Sequence, residues 1–176
     1  MKILVFLLFI SSDISAENKK NIPQTLTIEN SSYSLCKEHT IRYAFVIKIA
    51  YVGLYLEDCT TDQDLLTQSD KLIRFNYQVD VKAKVFIDAA EEFFVKNSTQ
   101  PGEQELQELK RFNQFYENIN DSDYYDLYHQ QGKILKLLKN TKLLGSSENT
   151  GFAFKYFNIW FGKYPAVKPL KKAFMS

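Results

Sequence analysis

The sequence has no uninterrupted apolar run long enough to cross a bilayer. The apolar run over residues 3–10 is too short, and no later segment is long enough, so no transmembrane segment is predicted. The net charge is only +1, without a basic or acidic block, and this argues against a nucleic-acid partner. The sequence contains neither a glycine-rich phosphate-binding loop nor a nucleophile elbow. It therefore gives no sign of a nucleotide-dependent enzyme or of a serine hydrolase.

Metal ligands are also scarce, because the chain has two cysteines and two histidines and they are not clustered. A metal site needs several such ligands close together, so we predict neither a metal centre nor another cofactor. Cys36 and Cys59 lie beyond the N-terminal segment, and an exported protein can join two such residues. An extended strand between them would prevent direct hairpin pairing, so the sequence leaves the disulfide open.

The first sixteen residues have the layout of a secretory signal peptide. Lys2 precedes an apolar run over residues 3–10, and small and polar residues then lead to Ala16. We expect cleavage after Ala16, with Ser12 as an alternative point, and export to the periplasm or the medium; a buried N-terminal strand is the alternative to a signal peptide. Residues 17–23 are expected to form a flexible leader, and residues 24–176 are long enough for a single domain.

Residues 41–57 are predicted to form one long strand with two different faces. The odd positions are bulky, whereas the even positions are smaller, largely apolar and include Arg42 and Lys48. A strand that is apolar on both faces is covered on both sides. The even face therefore either lines a cavity in which Arg42 meets an anion, or ends at a rim where both cations are solvated. Gly53 admits a bulge, which would shift the phase of the residues after it.

The remaining elements follow from turn signals and hydrophobic periodicity. Strands are predicted over residues 25–35, with a break at 29–31, and over 72–77, 124–129, 133–139 and 142–144. Helices are predicted over residues 81–95, 103–119, 152–161 and 169–175, the first with Asp80 as its N-cap. This order, without a strand–helix–strand crossover, indicates an α+β fold in which helices pack on one face of a large antiparallel sheet.

Three sequence blocks together resemble the chalcone isomerase-like superfamily, in its bacterial exported branch. The blocks are Arg42-x-x-Phe45-x-x-Lys48 with residues 52–57 (VGLYLE), the hairpin over residues 124–145, and residues 152–162 followed by Pro165 and residues 170–173 (LKKA). The resemblance covers nearly all of the chain after residue 16. It implies an open-faced sandwich of sheet and helices, with a cleft between the two layers.

The resemblance also implies roles for individual residues. Superfamily members include true isomerases, fatty-acid-binding proteins and non-catalytic relatives, and the resemblance makes Arg42 the anion-contacting residue. The catalytic members carry a Thr where this chain has Ala50, and a Tyr on the helix where this chain has only phenylalanines, such as Phe86 and Phe94. Each missing donor would cost on the order of 10²-fold in the rate of a reaction through an oxyanion. We therefore predict no catalytic residues.

The predicted function is the binding of a fatty acid or a similar small amphipathic carboxylate by an exported, non-enzymatic protein. The predicted ligand-binding residues are Arg42, Lys48, Ala50, Phe86 and Phe94, with the ligand's tail also along Ala44 and Val46. Arg42 would pair with the charged head, because charge-assisted bidentate contacts are strong. Two alternatives stay open: an isomerase acting on a phenolic enone, and a structural or partner-binding module with a filled core. The sequence does not identify protein partners.

Overall fold

The computed structural model describes residues 21–60, 65–67 and 70–176. Its described strands are β1 (Thr25–Ile28), β2 (Ser31–Tyr43), β3 (Ile47–Leu56), β4 (Lys71–Tyr77), β5 (Tyr124–Gln130), β6 (Ile134–Lys139) and β7 (Lys142–Ser147). Its described helices are α1 (Ala83–Asn97), α2 (Glu103–Asn113), α3 (Thr150–Tyr156), α4 (Asn158–Phe161) and α5 (Lys168–Met175). The strands form one antiparallel sheet in chain order, and the helices pack on one face of it. The predicted α+β fold is therefore confirmed.

The two faces of the sheet have separate cores. On the face beneath the helices, here the helix-covered face, alternate residues of β3 to β6 join a large apolar cluster that includes side chains of every described helix. The other face, here the opposite face, has a smaller buried cluster of Ile22, Tyr33, Tyr55, Leu72 and Tyr128. Because side chains alternate along a strand, each of these strands contributes to both environments.

The described end of the predicted leader contacts the opposite face. Ile22 is buried there, and the Tyr55 hydroxyl donates a hydrogen bond to the carbonyl oxygen of Pro23 at 2.9 Å. The predicted signal peptide and residues 17–20 of the leader lie outside the described residues. Within the described part of the chain, no helix combines the length and the apolar character that a membrane span requires.

The prediction of one long strand over residues 41–57 is wrong, because this segment is a hairpin. The chain turns back after Tyr43, where the Val46 amide donates to the Tyr43 carbonyl oxygen at 3.2 Å. Ala44 and Phe45 form the turn with positive φ angles of 47° and 65°. Glycine, asparagine and aspartate favour such angles, and none of them is present, so the turn carries no sequence signal.

A bulge then changes which side chains share a face of β3. Ile49 is the extra residue at the point where the register between β2 and β3 shifts. Ala50 stays fully buried on the helix-covered face, whereas Lys48 Nζ donates to the hydroxyl of Tyr51, whose side chain packs against the opposite-face cluster. The predicted even face of residues 42–50 therefore does not exist. Gly53 is not a bulge and stays in regular register.

A disulfide joins Cys36 to Cys59, with 5.2 Å between their Cα atoms. Cys36 lies at a second bulge, in β2, and Cys59 follows the end of β3. The antiparallel hairpin brings these two positions together, although the single-strand interpretation separated them. The bond that the sequence left open is therefore present in the structure.

Two helix boundaries also differ from the predictions, for one tertiary reason. The backbone N and O atoms of Val81 and Ile119 exchange two hydrogen bonds of 2.9 Å, which keeps both residues extended. Helix α1 therefore begins at residue 83, and α2 ends at residue 113. Asp80 does not cap a helix, and its carboxylate instead accepts a hydrogen bond from the amide of Asp121.

Candidate ligand-binding cavity

A cavity of about 210 Å³ lies between the helix-covered face of the sheet and the helical layer. Its sheet wall includes Ile41, Ile49, Phe75, Tyr77, Tyr125 and Leu127, and its helical wall includes Val85, Phe86, Ala89, Ala90 and Trp160. No described lining residue carries a formal charge. The interior is therefore an apolar space that water occupies poorly.

Aromatic rings next to two small residues account for the unfilled volume. The ring of Phe86 stacks on Tyr116 and meets Tyr77 and Tyr125 edge-on, with ring centroids 5.4 to 5.6 Å apart. These contacts fix one end of α1 above the sheet. The next turn of α1 presents two alanines, residues 89 and 90, and their short side chains leave the space beside the rings unfilled.

Three tyrosines of the lining differ in how their hydroxyls are used. The Tyr116 hydroxyl lies 2.9 Å from that of Tyr156, and the Tyr125 hydroxyl bonds both the amide and the carbonyl oxygen of Glu117. Within the described residues, no hydrogen bond is made by the Tyr77 hydroxyl. Burial raises the pKa of Tyr77 well above its usual value, and the neighbouring tyrosines add to this shift. Tyr77 therefore stays neutral and can donate to a ligand.

The predicted apolar site residues are placed differently by the structure. Phe86 lines the cavity, as expected for a residue on the inner face of α1. Ala50 and Phe94 are fully buried in the helix-covered cluster, but they are not among the described lining residues. The structure therefore brings one of these three residues to the cavity and packs the other two into the surrounding core.

The predicted polar site residues lie outside the cavity. Arg42 is exposed near the hairpin turn, where its Nη1 atom lies 3.5 Å from the carbonyl oxygen of Val46. Ala44 and Val46 belong to the turn and do not belong to the described lining. Lys48 points to the opposite face. Arg42 directly follows the lining residue Ile41 in the chain and pairs across the hairpin with Lys48.

Sequence reasoning missed Tyr77 and treated Trp160 as a core residue only. Trp160 is half-buried and forms part of the helical wall. Tyr77 is the last residue of β4, in phase with Ile73 and Phe75 on the helix-covered face. That two-residue spacing was visible in the sequence, but nothing in it indicated that the strand end would border a cavity.

The opposite face holds a buried ion pair. Arg74 donates from Nε and Nη2 to the two carboxylate oxygens of Asp126, both at 2.7 Å, and its guanidinium lies over the ring of Tyr124. Burial raises the pKa of Asp126, and the contact with Arg74 opposes this shift. Both partners satisfy each other, so the pair has a structural role in joining β4 to β5.

An antiparallel sheet with a helical layer over an apolar cavity defines the structural class of this protein. A family model described as chalcone isomerase-like matches residues 16–176, so the chain belongs to the chalcone isomerase-like family. Among solved structures it is similar to an Arabidopsis thaliana fatty-acid binding protein, at 13% sequence identity and a TM-score of 0.61. That match covers 86% of this chain and 95% of the plant chain and shows a shared fold. No curated protein matches the sequence.

Proposed function

We propose that this protein binds a fatty acid or another small amphipathic molecule in the cavity, without catalysing a reaction. The observation that carries the proposal is the uncharged cavity of about 210 Å³ between sheet and helices. The plant protein of the same fold is named for fatty-acid binding, which supports an acyl ligand. The absence of a hydroxyl at Ala50 and of a tyrosine within α1 supports a binding role over an isomerase.

The size of the cavity favours a short ligand. Pockets for drug-sized molecules usually measure about 300 to 1,000 Å³, and this one measures about 210 Å³. A short or medium acyl chain suits this space, whereas the end of a longer chain would remain outside. We therefore expect affinity to rise with chain length and then level off once the cavity is filled.

We propose that the charged head of the ligand lies at the rim of the cavity. An ionised carboxylate inside would meet no cation among the described lining residues, and burying it unpaired would cost several kcal/mol. Arg42 stands next to the lining residue Ile41 and can pair with the carboxylate there. Inside the cavity, the Tyr77 hydroxyl suits an uncharged oxygen of the ligand, such as that of a hydroxy or oxo group.

We propose that the protein acts after export, as the layout of its first sixteen residues predicts. The bond between Cys36 and Cys59 supports this, because disulfides persist in oxidising compartments. The mass of the protein recovered from the producing cells tests the point. Loss of the first sixteen residues is expected, and an intact N-terminus would contradict it.

The decisive experiment blocks the cavity and leaves the helix surface intact. Ala89→Trp places a large ring in the lining, and Lys84→Trp, on the exposed side of the same helix, is its matched control. The Lys84→Trp variant loses only the exposed ion pair between Lys84 and Asp88, which contributes little to stability. Displacement of a fluorescent fatty acid by a series of acyl chains is measured for both variants and the parent, after thermal unfolding shows that all three fold.

We expect Ala89→Trp to weaken acyl binding by tenfold or more, because most of the available volume is removed, and Lys84→Trp to bind as the parent does. Arg42→Ala should weaken binding of fatty acids but not of their methyl esters. Equal binding by Ala89→Trp and the parent would exclude the cavity as the site. If the parent binds no acyl ligand and mass spectrometry finds none in its lipid extract, the proposed function is wrong.

A further inference from the structure

The β2–β3 hairpin carries a group of apolar side chains that face solvent. Tyr43, Phe45, Val46 and Ile47, here called the apolar tip, are 68%, 91%, 73% and 49% exposed. Scattered exposed apolar residues are common, but four within five consecutive positions form a contiguous patch. Folding of the domain does not require them, because none belongs to either buried cluster.

The apolar tip projects beyond the neighbouring strands. The last residue pair between β3 and β4 joins Ala50 to Tyr77, and β1 pairs with β2 only as far as Ser34. Past these points the described part of the sheet offers the hairpin no further strand partner. The tip is therefore convex and accessible from both of its sides.

The turn residues of the tip are poor choices for the conformation they adopt. Ala44 and Phe45 both have positive φ angles, which Cβ atoms disfavour. Three other described turns of this sheet each pair one favoured residue at positive φ (Asn30, Gly132 or Asn140) with one unfavoured residue (Glu29, Gln131 or Thr141). The Ala44–Phe45 turn has no favoured residue at either position. Phe45 therefore occupies a place where glycine would suit the fold better, and a functional contact explains its presence.

We propose that the apolar tip inserts into the surface of an anionic phospholipid bilayer. Aromatic and aliphatic side chains at the end of a projecting element enter the boundary between headgroups and acyl chains. Arg42 and Lys48 face each other across the hairpin just behind the tip, at the level of the lipid phosphates. The apolar end of the hairpin would then lie at the boundary of the acyl chains, and its cationic base among the anionic headgroups.

The shape and charge of the hairpin favour a membrane over a second copy of the chain. A narrow, convex tip has little area to bury against an identical tip, and a symmetric contact would bring Arg42 and Lys48 of both copies together. A lipid surface needs no matching groove and supplies the opposite charge. The tip is also continuous with the cavity, because Ile41 and Ile49 at its base belong to the lining.

Because the tip adjoins the cavity, membrane contact would bring the cavity next to the bilayer; this part of the inference rests on the proposed function. A ligand leaving the bilayer beside the tip would reach the cavity along apolar side chains. The two proposals can fail separately: a protein with an empty cavity can still bind vesicles, and one that ignores vesicles can still bind an acyl chain in solution.

The test uses the full chain with phosphatidylcholine vesicles, with and without phosphatidylglycerol, and measures co-sedimentation. Phe45→Gly removes the ring and suits the turn, and Phe45→Asp adds a charge. The matched control is Leu143→Asp, since Leu143 is 52% exposed on β7, away from the tip. A Phe45→Trp variant, compared with the parent, reports the depth of the tip by the blue shift of its emission and by quenching with brominated lipid.

We expect Phe45→Gly to bind vesicles about tenfold more weakly, because a phenylalanine no longer leaves water, yet to unfold at the same or a higher temperature. Replacing Arg42 and Lys48 together by glutamine should weaken binding to the anionic vesicles by roughly 30-fold and remove the preference for them. Leu143→Asp should bind as the parent does.

Two results would overturn the proposal. One is unchanged vesicle binding by Phe45→Asp together with a Phe45→Trp emission that vesicles do not shift. The other is a concentration-dependent dimer that Phe45→Asp converts to a monomer, with no vesicle binding by the parent; the tip would then contact a second copy.

Discussion

The two faces of the sheet differ in how their buried polar side chains are hydrogen-bonded. On the helix-covered face the cavity is bordered by neutral tyrosine hydroxyls, and one of them, on Tyr77, has no hydrogen-bond partner among the described residues. On the opposite face Arg74 and Asp126 form a bidentate pair, and the hydroxyls of Tyr33 and Tyr128 meet at 2.8 Å. On the opposite face these polar groups pair with each other, whereas on the helix-covered face the Tyr77 hydroxyl is available to a ligand.

The largest effect is expected when the ion pair of the opposite face is broken. Asp126→Ala leaves the Arg74 guanidinium buried and uncompensated, which should lower the free energy of unfolding by about 3 to 5 kcal/mol. The double variant Arg74→Met with Asp126→Leu should restore most of this loss, since neither charge remains. Urea unfolding measures both. A single variant that loses less than about 1 kcal/mol would show that water reaches the pair.

The same substitution on each face tests the comparison directly. Tyr33→Phe leaves the Tyr128 hydroxyl without its buried partner and should cost about 1 to 2 kcal/mol of stability. Tyr77→Phe removes a hydroxyl that no described residue bonds, so its stability should stay within about 0.5 kcal/mol of the parent. Thermal and urea unfolding provide the measurement. Equal losses in the two variants would mean that Tyr77 is engaged by the protein itself.

A smaller loss than that of Tyr33→Phe concerns pH and the attachment of the helical layer. On α2, Glu108 accepts hydrogen bonds from the Arg111 guanidinium and from the hydroxyl of Ser147 on β7. The Arg111 contact holds the pKa of Glu108 below its usual value of 4.5, although partial burial opposes the shift. Because the folded-state pKa is the lower one, this stabilisation is present above pH 4.5 and is lost as the pH falls through the folded-state pKa.

Glu108→Gln should therefore reduce stability at neutral pH by about 1 kcal/mol and have a smaller effect in acid. Asp126 provides the contrast, since burial raises its pKa and its titration alone does not produce a loss of this sign. Urea unfolding of parent and variant across the acid range measures the difference. A gap that stays constant with pH would show that packing, rather than charge, accounts for the loss.

Local signals in the sequence predicted some elements well, and tertiary contacts decided the others. The β5–β6 hairpin was predicted because Gly132 is a typical turn residue. The β2–β3 turn was missed because Ala44 and Phe45 are not typical turn residues, and the face predicted for residues 42–48 was then wrong. From Ala50 to Leu56 the predicted alternation is present.

The candidate site follows the same division. Phe86 was placed correctly because helical spacing fixes the inner face of α1. Arg42 was predicted to bind the charged head of the ligand, but its position outside the cavity depends on a turn that local sequence preferences do not predict. The cavity itself depends on how far the rings of Phe86 and Tyr77 hold the helix from the sheet, which no local pattern determines.

The disulfide closes the hairpin at the end remote from the apolar tip. Cys36 and Cys59 are 23 positions apart, and the tip lies between them along the chain. A protease that cuts the exposed turn would therefore produce two pieces that still migrate as one molecule until a reducing agent is added. This exposed turn can be nicked while its two arms remain covalently linked.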